Sequence, residues 1–319
     1  MATLTQNTLG LLELANRSGN AGAIAIAEVL DKVIELQDAV YLPANGMTTH
    51  TVTRRASVPT GSWRRINDGV LSEASHTIPV KESIGILESF SKVDEELARL
   101  SGDVNGFRAQ EDAAFVEGLG QTLASTFFYG NTDTTPESFK GLAPRIVLKT
   151  AANAVDSSGS GDDTASIWIV QWGVGRVYFV YPQGTAVGLQ AEDLGLKLLS
   201  GQTTSTLMQC YVTHFIARHG LVVADDRCIQ KVTNIETAGT SNIFDDDDLL
   251  TALNRLPFNG VGGVIYANNT IKTQMDIKAK DQTNIFYTSA EFGGRPVTLF
   301  RGFPVRRMDV LLNTETALS

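Results

Sequence analysis

Two strand-like arms, His50 to Val58 and His76 to Phe90, flank a long polar loop, and nothing in these residues alone makes a stable fold. The first arm is rich in Thr and Val, as strands are. The second alternates: Ile78, Val80, Ile84, Ile86 and Phe90 share one face, with Lys81 and Ser83 among the residues on the other. Glu82 and Glu88 interrupt the apolar face, which predicts that it is only partly buried. The loop, Pro59-Thr-Gly61-Ser-Trp63-Arg64-Arg65-Ile66-Asn67-Asp68-Gly69, is charged and aromatic, with turn residues at each end. A two-stranded ribbon is marginal by itself in water, so this one needs another surface to lie on. The leader, residues 1–20, is polar and Gly/Asn-rich, with little reason to fold alone. Laid on neighbouring copies, ribbon and leader would gain backbone pairing and apolar burial that the monomer does not offer.

The rest of the chain reads as an α+β mixture. Ala21 to Val40 is predicted helical: Ile24, Leu30, Ile34 and Val40 are among its apolar positions, Glu28, Asp31, Lys32 and Glu35 supply charge, and Tyr41-Leu-Pro43-Ala-Asn-Gly46 ends it. Val93 to Leu100 reads as a short acidic helix. A longer helix is predicted from Asp103 to Tyr129, where Phe115, Leu119, Leu123 and Phe127 make a one-sided stripe and Gly130-Asn131 a stop. Thr132 to Asp163 is loop-rich, with Asp156-Ser-Ser-Gly-Ser-Gly-Asp-Asp163 as a turn. Ile167 to Trp172 and Arg176 to Tyr181, joined by Gly173-Val-Gly175, read as a hairpin. Leu207 to Val223 is extended. Asp245 to Leu256 is a helix whose acidic first turn suits its dipole. Gly263 to Tyr266, Val297 to Phe300 and Val305 to Leu312 are further strands.

Few classes of chemistry fit. With 26 Lys+Arg against 35 Asp+Glu, a net charge of −9, tight wrapping of DNA is disfavoured, because that needs many cations on phosphates; a wall that faces DNA without gripping it is not. The two cysteines, Cys210 and Cys228, suit a reduced origin better than a disulfide-stapled one. No signal peptide, membrane-spanning run or fixed-period repeat is legible. Cys210, His214, His219 and Cys228 match no standard zinc spacing. Asp245-Asp-Asp-Asp248 lacks the alternating oxygens and Gly of an EF-hand loop. Gly173-Val-Gly175 is followed by Tyr178, so the dinucleotide fingerprint fails. Asp225 and Asp226 are adjacent and diverge, a poor acid–base pair. Trp168 and Trp172 share one strand face and suit a core or an interface better than a sugar platform. No cofactor or metal is expected, and no catalytic residue.

Three local phrases carry a resemblance. Phe127-Phe-Tyr129-Gly130-Asn131 with Phe139-Lys-Gly141-Leu142-Ala-Pro-Arg145 forms the first, and His219-Gly220-Leu-Val-Val-Ala-Asp225-Asp-Arg227 with Val232-Thr-Asn234-Ile235 the second. The third is Gly302-Phe-Pro304-Val-Arg306-Arg-Met-Asp309 with Thr314-Glu315. In this order, behind an arm, a long hairpin and a long helix, they resemble the major capsid proteins of tailed double-stranded DNA phages. These have the Hong Kong 97-type fold, which encapsulins and herpesvirus capsid floors share.

The resemblance implies an N-terminal arm (1–46), an extended hairpin loop (47–92), a peripheral domain on a spine helix (93–165 with 291–319) and an apical domain (166–290). It implies self-assembly as hexamers and pentamers into an icosahedral shell around the genome, each extended loop lying on the next subunit. Trp63 would anchor the tip, and Arg54, Arg55, Arg64 and Arg65 would meet Asp94, Glu95 and Glu96 of a neighbour. A portal protein at one vertex, a decoration protein and enclosed DNA bound without sequence specificity are further implied partners. The implied place is the virion, after assembly in the host bacterial cytoplasm, with no membrane. Some relatives cross-link through a lysine on this loop; no Lys occurs between Met47 and Val80, so no such bond is expected. Only about 46 residues precede the loop, so a separate scaffolding protein is expected. The competing readings are an encapsulin-like nanocompartment shell and a β-rich hydrolase or carbohydrate-binding module.

Overall fold

The computed structural model describes residues 36, 38–200, 206–281, 287–292 and 295–319. The chain opens with β1 (Tyr41–Pro43), β2 (Thr49–Ser57), β3 (His76–Ser83), β4 (Gly85–Asp94), α1 (Glu95–Leu100) and α2 (Val104–Tyr129). Then come β5 (Ala154–Asp156), β6 (Thr164–Gln171), β7 (Val177–Tyr181), β8 (Leu189–Ser200), β9 (Leu207–Val223), β10 (Ile229–Glu236) and α3 (Asp246–Asn254). β11 (Gly263–Ala267), α4 (Asn269–Asp281), β12 (Tyr287–Phe292), β13 (Arg295–Phe300) and β14 (Phe303–Arg307) complete it.

These strands form three sheets. A five-stranded sheet runs β1-β7-β9-β4 with β8 also beside β9; a seven-stranded sheet runs β12-β13-β14-β11-β6-β10-β5; β2 and β3 stand apart as a ribbon. The long β9 organises the first sheet. Its residues Cys210 to His219 pair antiparallel with β4, Leu207 to Ala217 with β8, and Gly220 to Val223 with β7.

α2 joins the two large sheets. Asp103 caps its start, accepting from Gly106 N–H at 3.0 Å. Phe115 stacks on Phe215 of β9, Leu119 is buried, and Leu123 packs partly buried on the main core. At the far end Phe127 and Phe128 insert among Trp172 and Phe179 on one side and Trp168 and Tyr266 on the other. Trp172 Nε1–H donates to Tyr266 Oη at 2.8 Å, so these two buried polar tips are paired with each other. The returning chain satisfies the helix end: Gly141 N–H reaches Gly130 O at 2.7 Å and Leu142 N–H reaches Phe127 O at 3.0 Å. A Cβ on Gly141 would sit 2.6 Å from Thr126 O, so close approach demands glycine here. A second core lies under α3 and α4, against β6 and β11.

Several expectations need correction. Ile167–Trp172 and Arg176–Tyr181 are not a hairpin. β6 lies in the seven-stranded sheet and β7 in the five-stranded one, with a single parallel bridge between Trp172 and Val177. Both are almost continuously buried runs, so no alternation marks the partner. β8 and β9 pair with each other and β9 with β4, while β13 and β14 extend the sheet of β6 and β11. Val305 to Leu312 is strand only as far as Arg307; Met308 adds one bridge, its N–H donating to Ala267 O, and Val310 and Leu311 are buried beyond it. The predicted helix Ala21 to Val40 lies mostly outside the described residues, as does the leader 1–20, and residues 38–40 are turn and coil. The end of the arm packs on its own chain: β1 runs parallel to β7, Tyr41 stacks on Phe179 at 5.2 Å, and Asp38 pairs with Arg306 at 2.9 Å.

Candidate inter-subunit interface

The hairpin of β2 and β3 is fastened at its base and free at its tip. On β3, the Glu82 carboxylate accepts two bonds from the Arg145 guanidinium, at 2.7 and 2.9 Å. Arg145 also donates to Gly141 O at 2.9 Å and Lys140 O at 3.0 Å, which ties the ribbon to the exit of α2. The two side chains are 11% (Arg145) and 5% (Glu82) exposed, so Glu82, which in the sequence only interrupts an apolar face, is a buried anchor. On β2, Arg54 pairs with Asp226 at 2.6 Å and donates to Val223 O. The ladder then runs outward to Ser57 opposite His76. Every residue from 55 to 79 is exposed.

The tip has some internal order. Thr60 and Gly61 N–H both donate to Glu73 Oε2, at 2.7 and 3.1 Å, and Asp68 N–H donates to Arg65 O. Trp63 is 105% exposed, and Ile66 and Leu71 project beside it. Large apolar side chains left this bare mark an interaction surface.

The expected interface residues separate by environment. Arg55, Trp63, Arg64 and Arg65 are exposed on the ribbon and tip, and Glu96 is exposed on α1. Arg54 is engaged with Asp226 of its own chain. Asp94 caps α1, accepting from Glu96 and Leu97 N–H. Glu95 is largely buried against Arg99 at 2.6 Å. The sequence reading missed the anchors Arg145 and Asp226, which are distant along the chain; Arg145 within Gly141-Leu-Ala-Pro-Arg145 was the only available signal.

Beside the hairpin base lies a cavity of about 230 Å³ between β4, α2 and the 135–139 loop, with Phe139 and His219 among its lining residues. Among the described residues the His219 Nδ1 is buried without a hydrogen-bond partner. Burial pushes the imidazole down to about 4 from the ordinary 6.5. An unfolded chain takes up this proton near pH 6.5, the folded chain only near 4, so stability rises with pH across that window and falls as the solution is acidified through it. The expected loss between pH 6.5 and 4 is about 3 kcal/mol, from 1.36 kcal/mol per pKa unit. Urea titrations of the protein and of His219→Gln at several pH values check this. The variant should lack that part of the slope, and equal slopes would refute the assignment.

The other chemistry weighed from the sequence has structural explanations. Trp168 and Trp172 are core. Asp245 precedes α3 and pairs with Lys278 at 2.9 Å. Asp225 is held by Arg227, which keeps its carboxyl below the usual range, while Asp226 faces Arg54. Cys210 and Cys228 are buried free thiols whose pKa burial raises. Glu315 accepts from Tyr129 Oη at 2.6 Å and faces Lys231 Nζ at 3.6 Å, fastening the C-terminal segment to the end of α2 and to β10.

Comparisons place this architecture. The family model described as "Major capsid protein GP7" matches residues 18–319. A structure of bacteriophage Epsilon15 contains a chain 29% identical, covering 100% of this chain and 99% of that one, with a TM-score of 0.73. The bacteriophage JBD30 capsid matches at 12% identity over 96% of each chain, TM-score 0.46. The SrpI encapsulin of Synechococcus elongatus matches at 10% identity over 72% of this chain and 97% of that one, TM-score 0.47. No curated protein matches. A family match across residues 18–319, joined to a phage likeness over whole chains, means that this chain belongs to the major capsid protein GP7 family, a tailed-phage capsid protein of Hong Kong 97-type fold that assembles with itself into the icosahedral shell of the virion.

Proposed function

We propose that the subunits join as hexamers and pentamers through the projecting hairpin, each tip resting on the next subunit. The observation that carries this reading is the unbroken exposure of residues 55–79 around Trp63. Ordering such a segment costs conformational entropy that the monomer does not offset, and a neighbour supplies the missing burial. Arg55 then meets acidic groups such as Glu96 of the neighbour, and Arg64 and Arg65 meet those beside the place where the tip lands. Each exposed pair contributes roughly 0–1 kcal/mol, so these charges set register and orientation more than strength.

In this reading residues 1–46 are the arm and 47–92 the extended loop. Residues 93–165, with α2 as spine helix, and the C-terminal strands within 291–319 form the peripheral domain, and residues 166–290 form the apical domain. The chain has no catalytic role. Its partners are a separate scaffolding protein, a portal protein at one vertex, a decoration protein, and DNA enclosed without sequence-specific contact. Assembly takes place in the host bacterial cytoplasm. Reversing both tip charges, Arg64→Glu with Arg65→Glu, is expected to leave the subunit's melting unchanged and to slow or misdirect assembly, most strongly at low salt. Particles formed at the normal rate and with normal shape, seen by light scattering and negative-stain microscopy, would remove these arginines from the interface.

A further inference from the structure

The cavity beside the hairpin base has no occupant from its own chain. At about 230 Å³ it is smaller than the roughly 300–1,000 Å³ of ordinary small-molecule sites, and it suits one large side chain. Ile86, Leu87, Leu123, Phe139 and Ala217 supply apolar lining. The fitting occupant therefore has a large apolar body, as an indole does. Among the described residues Trp63 is the one exposed tryptophan, since Trp168 and Trp172 are buried. Charge agrees: Trp63 is followed by Arg64 and Arg65, and the cavity is edged by Glu137, with the exposed Glu88 one residue beyond Leu87 on β4.

We propose that this cavity receives Trp63 from a second copy of the chain, its indole packed on the apolar lining and Arg64 and Arg65 set against Glu88 and Glu137. The proposal rests on the reading that the hairpin tip lies on a neighbour and names the place where it lands. The Glu73 bridge across the loop restricts the tip before docking, which lowers the ordering cost.

Two measurements test it. The first is acrylamide quenching of tryptophan emission in free subunits and in shells. In free subunits the quenchable emission comes from Trp63 and should be lost on assembly. The second uses shells co-assembled from Thr135→Cys subunits, which keep Trp63, and a minor share of Trp63→Cys subunits. Thr135 lies exposed at the cavity rim, and the native Cys210 and Cys228 are buried. Mild oxidation should give covalent dimers that shells of Thr135→Cys alone do not form. Protection of Trp63 without the mixed dimer overturns the cavity as the landing site while leaving the hairpin reading intact. Trp63 still quenchable in shells overturns both.

Discussion

Deleting residues 59–69 is expected to give a subunit that folds normally and fails to build regular shells. The deleted residues are all exposed. The ladder from Thr49 opposite Ser83 to Ser57 opposite His76 remains, as do the anchors Glu82–Arg145 and Arg54–Asp226. Changing the length of an exposed loop alters closure entropy by well under about 1 kcal/mol, so the denaturation midpoint should barely move. Assembly differs, because the deletion removes Trp63, Arg64 and Arg65 from every copy. Truncating a buried aromatic anchor costs about 2 kcal/mol or more per contact. That is about 30-fold in association at each interface, repeated around every ring. Sedimentation should show free subunits or irregular aggregates where the parent gives shells. Normal particles from the deletion would refute the role given to the tip.

Arg145→Ala is expected to be the most destabilising single substitution at the hairpin base, at about 3–5 kcal/mol. It leaves the Glu82 carboxylate, with a side chain only 5% exposed, buried without its cation, and such uncompensated charges carry penalties of that size. It also strips donors from Lys140 O and Gly141 O. Replacing both partners, Glu82→Leu with Arg145→Met, should recover much of the loss, because the desolvation cost disappears with the charges. Urea denaturation of the single and double variants distinguishes this from a packing defect. A single-variant loss under about 1 kcal/mol, or a double variant worse than the single, would contradict the anchor.

Much of the fold was legible in the sequence where periodicity or an end signal was strong. α2 declared itself through Phe115, Leu119, Leu123 and Phe127 and through the Asp103 and Gly130 boundaries, and the exposed ribbon through its polar, turn-rich loop. Alternation identified the arms of the ribbon but not the break at Ile84 that splits the second arm into β3 and β4. Continuous burial hid the pairing of β6 and β7, because a run apolar on both faces carries no directional mark. β8 escaped because its pattern slips at Asp193 and Gly195, where a bulge shifts register against β9. α4 escaped because its apolar face is narrow, chiefly Ile271 and Met275, and its only end signal is Asn268, which accepts from Ile271 N–H at 2.8 Å. The interface was half legible. Trp63, Arg64 and Arg65 stand out as a bare tip, whereas the commitments of Arg54, Asp94 and Glu95 within the chain depend on contacts visible only in three dimensions.

An electron cryomicroscopy map of the assembled shell tests the central claim most directly, since it shows what residues 58–75 touch. The account predicts that each hairpin leaves its own subunit beyond Ser57, crosses to the adjacent copy and packs there with Trp63 covered. A map in which the tip folds back onto its own chain, or points into solvent with Trp63 bare, would contradict it.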